Sequence, residues 1–148
     1  MPIPELDADG LLPAGVHGAS MAEIREHFGR FKTTDRRVRL QASLEAFAAE
    51  ARGCGLVGAL VVDGSFTTGK AVPEDVDLVV ILQPGVDLVT EFSPDQYNVI
   101  SARRVKARHA IDVRYATSSP ETLSPMIEFF ERVRGRPELR KGMLRVTL

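Results

Sequence analysis

The chain carries one cysteine, no tryptophan and only two tyrosines in 148 residues. Cys54 alone cannot form an internal disulfide, and a lone thiol fits a reducing compartment. Its place between two glycines at a helix end suits a buried, inert thiol better than a reactive one. With so few aromatics, no basic cluster is interleaved with rings, which argues against a single-strand stacking platform. Apolar runs long enough for a membrane helix, roughly 20 residues, are absent, as is the basic-then-apolar start of a signal peptide. A cytoplasmic location without a membrane partner is the expectation. Charge of one sign is not in excess either. Nineteen basic and 20 acidic residues leave a net charge of −1, so no overall basic field recruits nucleic acid, although local clusters can. His17, His27 and His109 lack zinc spacing. There is no internal repeat or low-complexity tract. The length fits one domain over residues 1–148 with a sizeable core.

Residues 1–19 are rich in Pro, Gly and Asp and read as an extended N-terminal arm. Ser20-Met21-Ala22-Glu23 spells a capping box, which predicts a helix from Met21 to Phe28. A second helix is expected from about Thr34, with Leu40, Leu44, Phe47, Ala48 and Ala51 on one stripe and Gly53 and Gly55 ending it. Residues 56–62 and 75–82 read as strands joined by a loop. Ser93-Pro94 predicts a helix running to about Arg108, followed by a strand over 110–116. Ser124-Pro125 repeats that start signal for a helix that ends before Gly135, and 142–148 reads as a last strand. The α-α-β-β-α-β-α-β order predicts an α/β (α+β) fold, a mixed sheet with helices packed mainly on one face.

Against this background the acids stand out. Asp75-Val76-Asp77 opens an apolar strand, Leu78 to Leu82, and Asp112 sits in a third apolar run, Ile111-Asp112-Val113. Burying unpaired charge is expensive. Alternation puts Asp75 and Asp77 on one face with Val76 in the core, and Asp112 and Arg114 opposite Val113. If the two strands pair, three carboxylates converge. Like charges about 4 Å apart repel by about 4 kcal/mol at an effective dielectric of about 20. A divalent cation reverses that sign, and magnesium takes oxygen ligands while keeping positions open for phosphates. The Gly64-Ser65 turn offers exposed N–H groups and a hydroxyl to phosphate oxygens. The plainer alternative makes Asp75 a strand-entrance cap and Asp77 the partner of an arginine.

At these residues the chain resembles the nucleotidyltransferase superfold shared with DNA polymerase beta, kanamycin nucleotidyltransferase and the small minimal nucleotidyltransferases. That pattern is a Gly-Ser turn, a D-x-D and a third acid on a later strand; Gly64, Ser65, Asp75, Asp77 and Asp112 match it, over roughly residues 34–116. The whole chain is also similar to an uncharacterised bacterial group of such proteins. The similarity lies in a Leu-Pro-x-Gly-x-His arm, Leu12 to His17, an Asp63-Gly64-Ser65-Phe66 turn with Lys70 after it, and a Lys141-Gly142-Met143 strand. The resemblance implies transfer of a nucleoside monophosphate from an NTP to a protein or tRNA acceptor. It implies two magnesium ions on Asp75 and Asp77, with Asp112 as further ligand or as base. Relatives of this size often sit in toxin–antitoxin pairs, so a non-catalytic antitoxin that keeps the fold is the alternative. A homodimer or a partner chain would be one source of additional active-site wall.

Other motifs mislead. Gly64 to Lys70 nearly spells a P-loop, but Ala71 replaces the magnesium-binding hydroxyl and a strand follows where a helix is needed. Lys70 can touch a triphosphate or simply face water. Ser65 is no nucleophile elbow, since Asp63 stands where glycine is required. Arg103, Arg104, Lys106 and Arg108 offer a basic face beside the third strand, with Lys106 the chosen phosphate contact. Arg132, Arg134, Arg136, Arg140, Lys141 and Arg145 form a second cluster that suits RNA, an acidic partner or solubility. Arg36, Arg37 and Arg39 are ambiguous.

Overall fold

The computed structural model describes residues 3–89 and 91–148. Its elements are β1 (Val16–Gly18), α1 (Met21–Phe28), α2 (Arg36–Cys54), β2 (Val57–Asp63) and β3 (Asp77–Leu82). They continue with α3 (Pro94–Ile100), α4 (Ala102–His109), β4 (Asp112–Ala116), α5 (Pro120–Glu131), β5 (Arg132–Val133), β6 (Arg136–Arg140) and β7 (Met143–Thr147). The main sheet is mixed, in the order β1-β7-β2-β3-β4. β2 runs antiparallel to both β3 and β7, while β1–β7 and β3–β4 are parallel pairs. This is the expected α/β class.

Alternation along the strands divides the core. Leu60, Val62, Leu78, Val80, Val113, Leu144 and Val146 turn to one face, where Ile24 and Phe28 of α1, Leu44 and Phe47 of α2, Val99 of α3 and Val105 of α4 cover them. Ala59, Val61, Val79, Ile81 and Met143 turn to the other, where only α5 packs, through Leu123, Met126, Ile127 and Phe130. Among the described residues, four helices thus lie on one face and one on the other.

Several boundaries differ from the expectation. The extended arm enters the sheet: Val16–Gly18 is an edge strand beside β7. The arm reaches further, since Gly69 N donates to Gly10 O at 2.8 Å and Gly142 N to Leu12 O at 2.9 Å. α2 starts at Arg36, not Thr34, and ends on Gly55, whose φ of 76° suits a residue without Cβ. The single helix expected from 93 to 108 is two, because Ser101 leaves helical geometry and its side chain caps α4 by accepting from Arg104 N. α5 starts at Ser119-Pro120 rather than Ser124-Pro125. Pro125 lies inside it, where its missing N–H leaves Glu121 O, on an exposed residue, without a helical donor. The helix stops at Glu131, and Arg134-Gly135 turns a β5–β6 hairpin in place of the expected last helical turn. β3 begins at Asp77 and β4 at Asp112, each later than the apolar runs suggest, and the last strand spans only Met143–Thr147.

Candidate metal and phosphate site

Register brings the acids together. Asp77 on β3 pairs with Asp112 on parallel β4 and with Asp63 on antiparallel β2. Side chains at paired positions share a face, so three carboxylates stand in a row across three strands. The row lies on the α5 side, at the rim that the helix leaves open. Asp75 precedes β3 and joins from the loop. Asp75, Asp77 and Asp112 each offer an oxygen, and these oxygens all lie within 4.8 Å of one another. The three residues named from sequence therefore do converge. That spacing and all-oxygen chemistry fit a hard divalent cation such as magnesium.

The electrostatics follow from the same packing. Asp77 is half buried, and its carboxyl is pushed up to about 6, first by desolvation and then by the charges of Asp75 and Asp112. Asp112 is exposed, and the Lys106 ammonium sits 3.1 Å from it. Lys106, the phosphate contact chosen from sequence, occupies the place a cation would take. Lys70 does not reach the acids; it pairs with Glu74 at 3.2 Å.

The glycine-serine corner is built around Asp75. Gly64 has φ 90°, and a Cβ there would stand 3.0 Å from Asp75 O and Asp77 N, so only glycine fits without displacement. The Ser65 amide and hydroxyl both donate to Asp75 Oδ1 at 3.1 Å, and Glu74 N donates to Ser65 Oγ at 2.9 Å. The donors expected to meet a phosphate instead hold one oxygen of Asp75 and fix that carboxylate against the row. A 3-10 turn, Ser65–Thr67, follows. It leads to no α-helix before β3, which removes the P-loop reading of residues 64–71.

Three residues do more than their sequence context shows: Arg37 and Arg36, ambiguous as arginines near a helix start, and Asp63, named only within the Asp63 to Phe66 turn. Arg37 is 1% exposed. Its guanidinium donates to Phe28 O, Phe66 O, Thr68 O and Lys70 O at 2.6–3.2 Å and lies over the Phe28 and Phe66 rings, 5.9 and 5.7 Å from their centroids. Desolvation lowers its pKa. Arg36 beside it donates to Pro73 O at 3.0 Å and to Glu74 O. The first turn of α2 thus pins both limbs of the loop that carries the site. The third residue is Asp63, also 1% exposed, raised to about 6 by burial with Lys141 opposing. A buried arginine gives no periodic signal. Asp63 was visible as an acid closing an apolar strand.

The remaining candidates sit elsewhere. His17 Nε2 meets Pro13 O at 2.7 Å and closes a turn of the arm. Cys54 is partly buried and donates to Ala51 O. Arg104 stacks over Tyr97. Arg108 and His109 both meet Glu50 of α2. Arg132, Arg134, Arg136 and Arg140 belong to the β5–β6 hairpin or its turn.

A mixed α/β domain with three converging carboxylates beside a glycine-serine corner is the class that fold and site define. The chain belongs to DUF6932, a family of unknown function, whose model matches residues 4–147. No curated protein and no solved structure matches it. Among the described residues, no helix is long and apolar enough to cross a membrane.

Proposed function

We propose that the chain is a magnesium-dependent nucleotidyltransferase. The observation that carries this reading is the convergence of Asp75, from the loop before β3, with Asp77 and Asp112 of two adjacent strands, their oxygens within 4.8 Å of one another, beside a corner where only glycine fits. As a purely structural cluster it is unfavourable, since burial and then the charges of Asp75 and Asp112 push the Asp77 carboxyl up. Bound magnesium would neutralise phosphate oxygens and the developing charge of an in-line displacement.

The residues divide the remaining work. Asp75 and Asp77 hold the ion. Asp112 completes the set, or takes the proton of the acceptor hydroxyl once Lys106 has moved off it. Lys106 then has phosphate oxygens within reach of α4. Ser65 orients Asp75, while Arg36 and Arg37 fix the loop. In the transfer an acceptor oxygen bonds to the α-phosphorus of the NTP, the bond to the β-phosphate oxygen breaks, and pyrophosphate leaves. The acceptor is a protein or tRNA hydroxyl, and the cytoplasm supplies NTP and magnesium.

The test is transfer of label from α-labelled NTP to protein and RNA fractions, with and without magnesium. Labelling that needs magnesium and is lost in Asp77→Asn supports the reading; labelling unchanged in that variant removes it. A second reading has one observation in its favour: Ser65, Lys106 and Lys141 already satisfy three of the four acids internally. A set closed on itself suits a non-catalytic antitoxin that works by binding. That reading expects tight association with a partner protein that Asp75→Asn leaves intact.

A further inference from the structure

We propose that Lys141 stands in for a second cation, so that the acid row of the nucleotide-free protein takes one divalent ion rather than two. This rests on the metal reading above and refines it. The row contains four acids, and its inner half, Asp63 and Asp77, is as well placed by register as the outer half, Asp77 and Asp112. One carboxylate on each side of a shared Asp77, Asp63 within and Asp112 without, would make a two-ion site. The inner half is already filled. Lys141 Nζ lies 3.3 Å from Asp63 Oδ1, and its side chain is only 19% exposed. Neither Asp63 oxygen accepts a hydrogen bond of good geometry. The ammonium is thus the main compensation for a carboxylate otherwise sealed from water, and taking it away would leave that charge buried alone.

The lysine cannot easily withdraw. Lys141 N donates to Glu131 O at 2.8 Å, Gly142 N to Leu12 O at 2.9 Å and Met143 N to Gly15 O at 2.9 Å, so three successive amides are tied. A Cβ at Gly142 would collide with Pro13 O at 1.9 Å, which shows how closely the arm is pressed on this turn. Lys106, at the opposite end of the row, is different. Both it and Asp112 are more than half exposed, and a surface pair of that kind is weakly held and exchanges readily for a metal. The two lysines therefore have different parts: one is displaced, the other stays. With Lys106 displaced, four carboxylates and the Lys141 ammonium leave three negative charges; one divalent ion cancels two of them, and a second would overcompensate.

The experiment counts manganese ions bound to the full chain without nucleotide, by calorimetry and by the electron paramagnetic resonance of free manganese. We expect one ion in the wild type and one in Lys141→Arg, which keeps the charge. In Lys141→Ala, which empties the inner half, we expect two. Asp63→Asn should keep one ion within a fewfold of the wild-type affinity, since Asp63 holds the lysine and not the metal. Two ions in the wild type, one ion in Lys141→Ala, or loss of the ion in Asp63→Asn would each overturn the proposal. No ion in the wild type would overturn the metal reading itself, and this inference with it. Circular dichroism of each variant, with Lys141→Arg as the folded reference, separates a change of count from a failure to fold.

Discussion

Replacing Asp77 by asparagine should make the metal-free protein more stable. Burial and the charges of Asp75 and Asp112 hold the Asp77 carboxyl at about 6 against an ordinary 3.8. At about 1.4 kcal/mol for each pKa unit, ionised Asp77 costs the fold about 3 kcal/mol at pH 7. Because the group is only half buried, water screens part of this, and about 1.5 kcal/mol is the expected effect. In a domain of this size that raises Tm by about 3–6 °C. The sign follows from proton binding. Between pH ~4 and ~6 the native state keeps a proton on Asp77 that the unfolded chain has lost, so this contribution to stability falls as pH rises through that window and is level above it. Asp63, also near 6, adds a fall of the same sign, so the variant should show a shallower slope rather than none. Manganese reverses the order. At about 100 times its dissociation constant it adds about 2.7 kcal/mol to a protein that binds it, and the asparagine variant should lose most of that gain. Thermal melts at pH 5, 6 and 7 in chelator and in excess manganese would show the crossing. A variant less stable than wild type in chelator, or one that gains as much from manganese, would refute the account of the acid row.

Other substitutions probe the parts around it. Gly64→Ala should cost about 1–3 kcal/mol, since alanine must take φ 90° and meet the backbone of Asp75 and Asp77; urea unfolding would measure it, and a neutral result would mean that the corner relaxes freely. Ser65→Ala should weaken manganese binding about tenfold with little loss of stability, because it removes one of the two donors that hold Asp75 without removing a ligand; calorimetry decides, and unchanged affinity would return Ser65 to the role of phosphate donor. Arg37→Met should cost at least about 3 kcal/mol by leaving four carbonyl oxygens without their donor. The amides of residues 65–70 should then lose protection from hydrogen exchange, and protection equal to wild type would show that something else holds the loop.

What could be read from sequence was local chemistry with a short reach. Ser20 and Glu23 announce α1 because both halves of the capping box lie within four residues. β2, β3 and β4 announce themselves because their inner positions are apolar. The convergence of Asp75, Asp77 and Asp112 followed from alternation plus one assumed pairing, which the parallel β3–β4 register supplies. The contacts that went unseen are long-range or ambiguous. Arg37 looks like any helix arginine until the loop 29 to 33 residues later folds over it. α5 begins not at Ser124-Pro125 but at Ser119-Pro120, where the Ser119 hydroxyl accepts from Glu121 N. Ser101 reads as a helix residue unless its cap to Arg104 is recognised. The β1 strand has three residues and depends on β7, at the other end of the chain. The Asp63–Lys141 pair likewise joins residues 78 positions apart.

The order β1-β7-β2 has a kinetic consequence. β7 is made after the six other described strands, yet it lies inside the sheet, between the first strand and the second. Until residue 147 has been synthesised, β2 has one bare side and β1 has no neighbour at all, and pairings this distant in the chain form slowly. Lys141, at the root of β7, arrives at the same late moment. A nascent chain therefore carries Asp63 without its ammonium partner until residue 141 has been made, later than the Asp77–Asp112 pairing of β3 with β4.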